Sequence, residues 1–132
     1  MNAKHLILVL IAALFLAACG TAAKAEPADP AAVAQEFWGT VNAGDLEAAM
    51  ALVSDDFKAH VDEDTSDKEA MRASTQSFID EGLRTEISNL KVEGDTVTYD
   101  WVNYRKDGSV EWSGVDTLHI KDGLIVLMET DD

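Results

Sequence analysis

One cysteine and two prolines in 132 residues leave this chain little with which to staple or kink itself. The lone thiol, Cys19, excludes an internal disulfide, and once it is modified no thiol catalyst remains. Cations are scarce as well: 10 Lys and Arg stand against 25 Asp and Glu, for a formal charge of -15. Lys4 is the one charged side chain in the first eighteen residues, so the remainder carries 9 minus 25, or -16. Such a surface repels phosphate backbones and anionic headgroups, which excludes nucleic acid as a partner. No Gly-rich phosphate loop is present, and no cofactor is expected. The longest apolar run, Leu6 to Leu16 (LILVLIAALFL), falls well short of the ~20 residues of a spanning helix.

That run has another use. Met1 to Lys4 is a short, positively charged start, and Ala17-Ala18 supplies small residues before Cys19, so residues 1–18 read as a signal peptide. Leu16-Ala17-Ala18-Cys19 resembles the bacterial lipobox, which implies lipid on Cys19 and attachment to a membrane through that anchor. Residues 19–28 are small and polar without apolar periodicity, a flexible tether behind the lipidated cysteine. The expected location is the cell envelope. Gly20, where the resemblance associates Asp with inner-membrane retention, points to the outer membrane facing the periplasm in a Gram-negative source.

Residues 29–132 form one small domain. Asp29-Pro30 starts a helix whose Val33, Phe37 and Val41 recur at fourfold spacing, and Asn42-Ala43-Gly44 stops it. Asp45 caps a second, shorter helix with Leu46, Ala49, Met50 and Val53 on one face. From Asp56 the period changes to two, with Phe57, Ala59 and Val61 on the buried side of a strand. An acidic loop, Asp62 to Ser66, follows. Ser66 and Glu69 form a capping box for a third helix that Gly82 ends, with Met71, Thr75, Phe78 and Ile79 inward. Four strands complete the chain, with turns at Gly94-Asp95, Lys106 to Ser109 and Lys121 to Gly123. The order α-α-β-α-β-β-β-β gives an α+β fold: three helices packed in a curved, mostly antiparallel sheet.

That order, together with certain words, resembles the nuclear-transport-factor-2-like superfamily, especially its SnoaL-like and ketosteroid isomerase-like branches. The words are Phe37-Trp38 through Asn42-Ala43-Gly44-Asp45-Leu46, then Leu52 to Phe57, and Leu118-His119-Ile120-Lys121-Asp122-Gly123-Leu124-Ile125. The resemblance implies a cone with an apolar pocket at its open end, serving isomerases, cyclases, dehydratases, epoxide hydrolases and non-catalytic binding domains. In the isomerase branch an oxyanion-hole Tyr falls on Phe37 and the general-base Asp on Val61, so both groups are hydrocarbon here. The third member, a carboxylic acid kept protonated to donate a hydrogen bond, falls on Asp116.

Parity places Asp116 beside Leu118 and Ile120, facing core or pocket; the alternative is a carboxylate at the open end of the cone, solvated or bonded to a backbone amide. In a dry pocket a leucine there would fold as well or better, because the carboxyl's desolvation penalty disappears. The expected ligand pocket comprises Phe37, Val61, Tyr99, Trp101, Trp112, Asp116 and Leu118. His60, Asp62, Asp64 and Asp67 crowd together, and Asp62, Asp64 and Ser66 echo the first ligands of a calcium loop. The sixth position is Asp67 rather than Gly and the twelfth Ala73 rather than Glu, so no metal is expected. His119 alternates away from Leu118 and Ile120, toward the outer face. The expected function is a non-catalytic module holding a small apolar ligand or a short peptide. The alternative is a SnoaL-like hydrolase, lyase or isomerase using the candidate catalytic residue Asp116 with Asn103 or Tyr104. A third reading, implied by the resemblance, is an interaction subunit that forms a homodimer through the sheet.

Overall fold

Asp29 opens the first helix, α1 (Pro30–Asn42): its carboxylate accepts from the Ala31 N–H at 3.1 Å, and Pro30 fills a position whose N–H would go unused. The computed structural model describes residues 29–131, so the signal peptide 1–18, Cys19 and the tether to residue 28 lie outside the described residues. Val33, Ala34, Phe37 and Val41 turn inward. Gly44, at φ 76, reverses the chain, a conformation that costs glycine nothing. Asp45 then caps α2 (Leu46–Ala51) by accepting from the Ala48 N–H. Among the described residues no helix is long and apolar enough to cross a membrane.

The first strand, β1 (Val53–Val61), begins earlier than the alternation from Asp56 predicts, because Val53 already pairs with Ile125. Phe57 and Ala59 are buried as expected. Val61, on the same parity, is the last residue of the strand, beside a turn and beyond the core, and is 39% exposed. Where an acidic loop is expected there is a hairpin: Asp62, at φ 53, turns the chain into β2 (Asp64–Asp67), paired from Val61↔Asp64 to Lys58↔Asp67. Asp is among the few residues that tolerate this left-handed backbone. Strand β2 is an edge of the sheet, and its carboxylates discourage further pairing.

The third helix, α3 (Lys68–Asp80), is capped by Asp67 and not by Ser66. Ser66 is committed to the ladder opposite Ala59, and the next carboxylate accepts from the Ala70 N–H at 3.0 Å. Then come β3 (Arg84–Glu93), β4 (Thr96–Tyr104), β5 (Val110–Lys121) and β6 (Leu124–Asp131). The six strands lie in the order β2-β1-β6-β5-β4-β3, antiparallel except for β1 beside β6. The architecture is α+β with three helices in a curved sheet, one short strand richer than the sequence suggests. At the β5–β6 turn both Asp122 and Gly123 have positive φ, as a two-residue hairpin demands. At the β4–β5 turn Gly108 alone does; the Asp107 carboxylate instead holds the Ser109 N–H at 2.9 Å. Phe37, Met50, Phe57, Val97, Leu118 and Ile125 are fully buried between helices and sheet.

Candidate functional site: a polar floor in an aromatic cavity

The inner face of β5 reads Trp112, Gly114, Asp116, Leu118, Ile120. It begins with an indole that is 54% exposed and ends in closed hydrocarbon. Asp116, in the middle, is 3% exposed. Strand β4 sets Tyr99 opposite it and Trp101 opposite Gly114, while β6 sets Thr130 opposite it on the other side. Tyr99 Oη donates to Asp116 Oδ2 at 3.2 Å, Trp101 Nε1 to Oδ1 at 2.9 Å, and Thr130 Oγ1 to Oδ1 at 2.7 Å. From α1, Trp38 Nε1 donates to Tyr99 Oη at 2.9 Å, which leaves the phenol proton directed at Asp116. Burial first, and the Asp116 charge second, push the Tyr99 phenol well above its ordinary value of 10.0. Tyr99 is therefore a fixed donor and not a base.

Two local features build this arrangement. Gly114 has no side chain to obstruct the indole of Trp101: a Cβ there would stand 2.7 Å from Trp101 Cζ2 and 2.9 Å from the Asp131 carbonyl oxygen. A register shift in the β5–β6 ladder, between His119 and Ile120, is the second. Continued regularly from the turn, the ladder would bring Glu129 opposite Asp116 and bury two carboxylates side by side. The bulge substitutes the Thr130 hydroxyl. Glu129 turns to the outer face, where it meets His119 Nε2 at 2.9 Å, on the side expected for that histidine.

Above Asp116 opens a cavity of about 460 Å³ between α1, α3 and the sheet. Its walls are largely apolar: Phe37, Trp38 and Val41 from α1, Met71 and Phe78 from α3, Trp101 and Trp112 from the sheet. Phe37 and Trp38 meet edge to face with centroids 5.1 Å apart, and Trp38 leans on Phe78 at 6.3 Å. Asp116, Asn103 and Thr130 supply polarity from the sheet, and Ser74, Ser77 and Glu81 are exposed around the opening. Asn103 Oδ1 accepts from Thr85 Oγ1 at 2.7 Å. Thr85 is itself held by Asn42, which donates to its carbonyl at 2.8 Å and accepts from its N–H at 2.9 Å. Among the described residues no buried side-chain nitrogen or oxygen lacks a partner.

Of the expected pocket residues, Phe37, Trp101, Trp112 and Asp116 line this cavity, and Asn103 joins them. Tyr99 and Leu118 do not. Both share the inner parity, but the helices close over them, and Tyr99 reaches the site only through its hydroxyl. Val61 lies outside the cavity, at the exposed end of β1. Tyr104 is excluded as a polar partner by parity: it stands on the outer face beneath the Arg84 guanidinium, 5.0 Å from its ring centre. His60 bonds Thr65 across the β1–β2 hairpin, and among the described residues no three His, Cys, Asp or Glu form a metal-holding group. Sequence reasoning placed Met71, Thr75 and Phe78 inward without assigning them to the pocket, and it missed Thr130 and Met128. The bulge that aims Thr130 leaves no mark in the residue pattern.

A cone of helices in a bent six-stranded sheet, open over a buried carboxylate, is the nuclear-transport-factor-2-like fold. The sequence model of the SnoaL-like domain matches residues 34–128, most of the chain, and the chain belongs to that family. It is similar to an NTF2-like protein of unknown function from Cytophaga hutchinsonii, at 14% identity and a TM-score of 0.68 over 83% of this chain and 93% of that one. A cystatin-fold protein from Novosphingobium aromaticivorans is 20% identical with a TM-score of 0.68, over 80% and 99%. The epoxide hydrolase/cyclase-like enzyme SalBIII, of pyran ring formation in the polyether salinomycin, is 18% identical with a TM-score of 0.68, over 76% and 88%. At these identities the likeness is one of fold. No curated protein matches the sequence.

Proposed function

We propose that this protein is a lipid-anchored envelope module whose cone binds a small, largely apolar molecule without transforming it. The observation that carries the reading is the 460 Å³ cavity with aromatic walls and a buried, hydrogen-bonded Asp116 at its floor. That volume suits a single small organic molecule. Isomerase chemistry has no support in the site: Phe37 lines the cavity without a hydroxyl, and position 61 lies outside it. Anchoring rests on Leu16 to Cys19. Native mass spectrometry of protein purified from its own envelope tests the binding reading and should show a small-molecule adduct lost on denaturation. Bare protein that also takes up no apolar compound would contradict it. For the anchor, Cys19→Ala should abolish lipid labelling, and a wild-type chain starting at Cys19 without added lipid mass would refute lipidation.

A second reading is supported by Asp116 and Asn103 lining the same cavity, an arrangement open to acid–base chemistry of the SnoaL type. Turnover that vanishes in Asp116→Asn while binding persists would favour that reading over simple binding.

A further inference from the structure

We infer that the cavity selects a lipophilic organic cation, a tertiary or quaternary ammonium, over neutral and anionic molecules of the same shape. The inference rests on the binding reading above and specifies its ligand class.

The cavity's charge is of one sign. Asp116 lies at its floor and Glu81 at its opening, and none of the described residues lining it is Lys, Arg or His. An anion entering would lose its hydration beside a buried carboxylate with no cation to meet it. A neutral ligand would gain only the apolar walls. A cation gains the walls and the charge together, and an excess of 25 acidic over 10 basic side chains draws it toward the protein beforehand.

The aromatic lining narrows the class further. Trp101 and Trp112 come from the sheet, Trp38 and Phe37 from α1, and Phe78 from α3, so aromatic rings from both layers line the space above the carboxylate. Indole faces attract cations through their quadrupole, most strongly where water is displaced. The Asp116 oxygens already accept from Tyr99, Trp101 and Thr130. With both oxygens already accepting hydrogen bonds, what the carboxylate chiefly offers a ligand is its charge. An ammonium whose nitrogen is clad in methyl or alkyl groups needs charge and aromatic contact but no acceptor, and it matches this floor better than a primary amine does.

All 3 tryptophans of the chain line the cavity, so intrinsic fluorescence reports its occupancy directly. The full chain is titrated with benzyltrimethylammonium, its neutral carbon isostere neopentylbenzene, and phenylacetate. The cation should bind at least tenfold more tightly than the neutral isostere, and phenylacetate should give no saturable change. Asp116→Asn, which keeps the shape, should bring the two affinities within threefold of each other. Equal wild-type affinities for the cation and its isostere would overturn cation selection while leaving a binding cone. Silence from all three compounds would overturn the binding reading as well. The wild-type comparison stands even if the Asp116 variant fails to fold.

Discussion

The two ends of β5 solve the same problem in different ways. Toward the turn with β6, Leu118 and Ile120 are sealed against Met50, Phe57 and Ile125, a hydrocarbon core that needs nothing but volume. Toward the hairpin with β4, the same face presents Trp112, Gly114 and Asp116, where helices and sheet leave space and, among the described residues, each buried polar side chain is met by a partner. One strand thus runs from a packed core to an open cavity within a few residues. The closed end sets stability by area. The open end depends on direction, because a buried carboxylate is tolerable only while its donors stay aimed at it.

The sharpest way to break this contrast is to make the open end resemble the closed one. Asp116→Leu, which the sequence pattern alone would allow, should destabilise the fold by about 3–5 kcal/mol in urea unfolding, because Tyr99, Trp101 and Thr130 all lose their acceptor. A neutral or stabilising result would mean that the network contributes nothing. Gly114→Ala should cost about 1–3 kcal/mol, since the new methyl meets Trp101 and the Asp131 backbone, and the tryptophan emission should shift. Adding one carbon at the closed end, as Val97→Ile opposite Leu118, would lower stability without moving that emission.

Smaller effects sharpen the comparison. Tyr99→Phe should cost about 1–2 kcal/mol at neutral pH by leaving Trp38 Nε1 and Asp116 short of a bond. It should also change the alkaline limb. The folded state holds the Tyr99 proton above the ordinary value of 10.0, so its contribution is intact below that pH and is lost as pH rises toward the folded value. The wild-type protein should therefore lose stability above about pH 10 more steeply than Tyr99→Phe. Smallest of all is Glu47→Gln. The Arg72 guanidinium holds the Glu47 carboxyl below its usual range, but the pair is solvated and the unfolding midpoint should stay where it is.

How much of this was legible beforehand follows the same division. What packs speaks through period: Val33, Phe37 and Val41 at helical spacing, and Val97, Tyr99 and Trp101 alternating, give the three helices, the α+β class and most of the core. Parity also turned Asp116 inward and His119 outward. Registers and ends were the blind spots. No pattern announces the β5–β6 bulge, so Thr130 could not be placed beside Asp116. Val61 obeys the alternation yet is exposed, because alternation cannot tell where the covering helices stop. The acidic segment after it reads as a loop until Asp62 takes its left-handed turn and makes a strand of Asp64–Asp67. Tyr99 looked like pocket and is the support behind it: parity gives a face but not which residues on that face reach open space.

The central claim is that binding belongs to the open end alone, and the most direct measurement is a two-dimensional NMR titration of the full chain with a neutral aromatic probe such as naphthol. The indole N–H signals of Trp38, Trp101 and Trp112 should shift together with the Ser74, Ser77 and Thr130 amides, while Phe57, Leu118 and Ile125 stay still. Shifts gathered instead on the outer face, at Thr98, Val115 and Leu127, or no shifts at all, would contradict it.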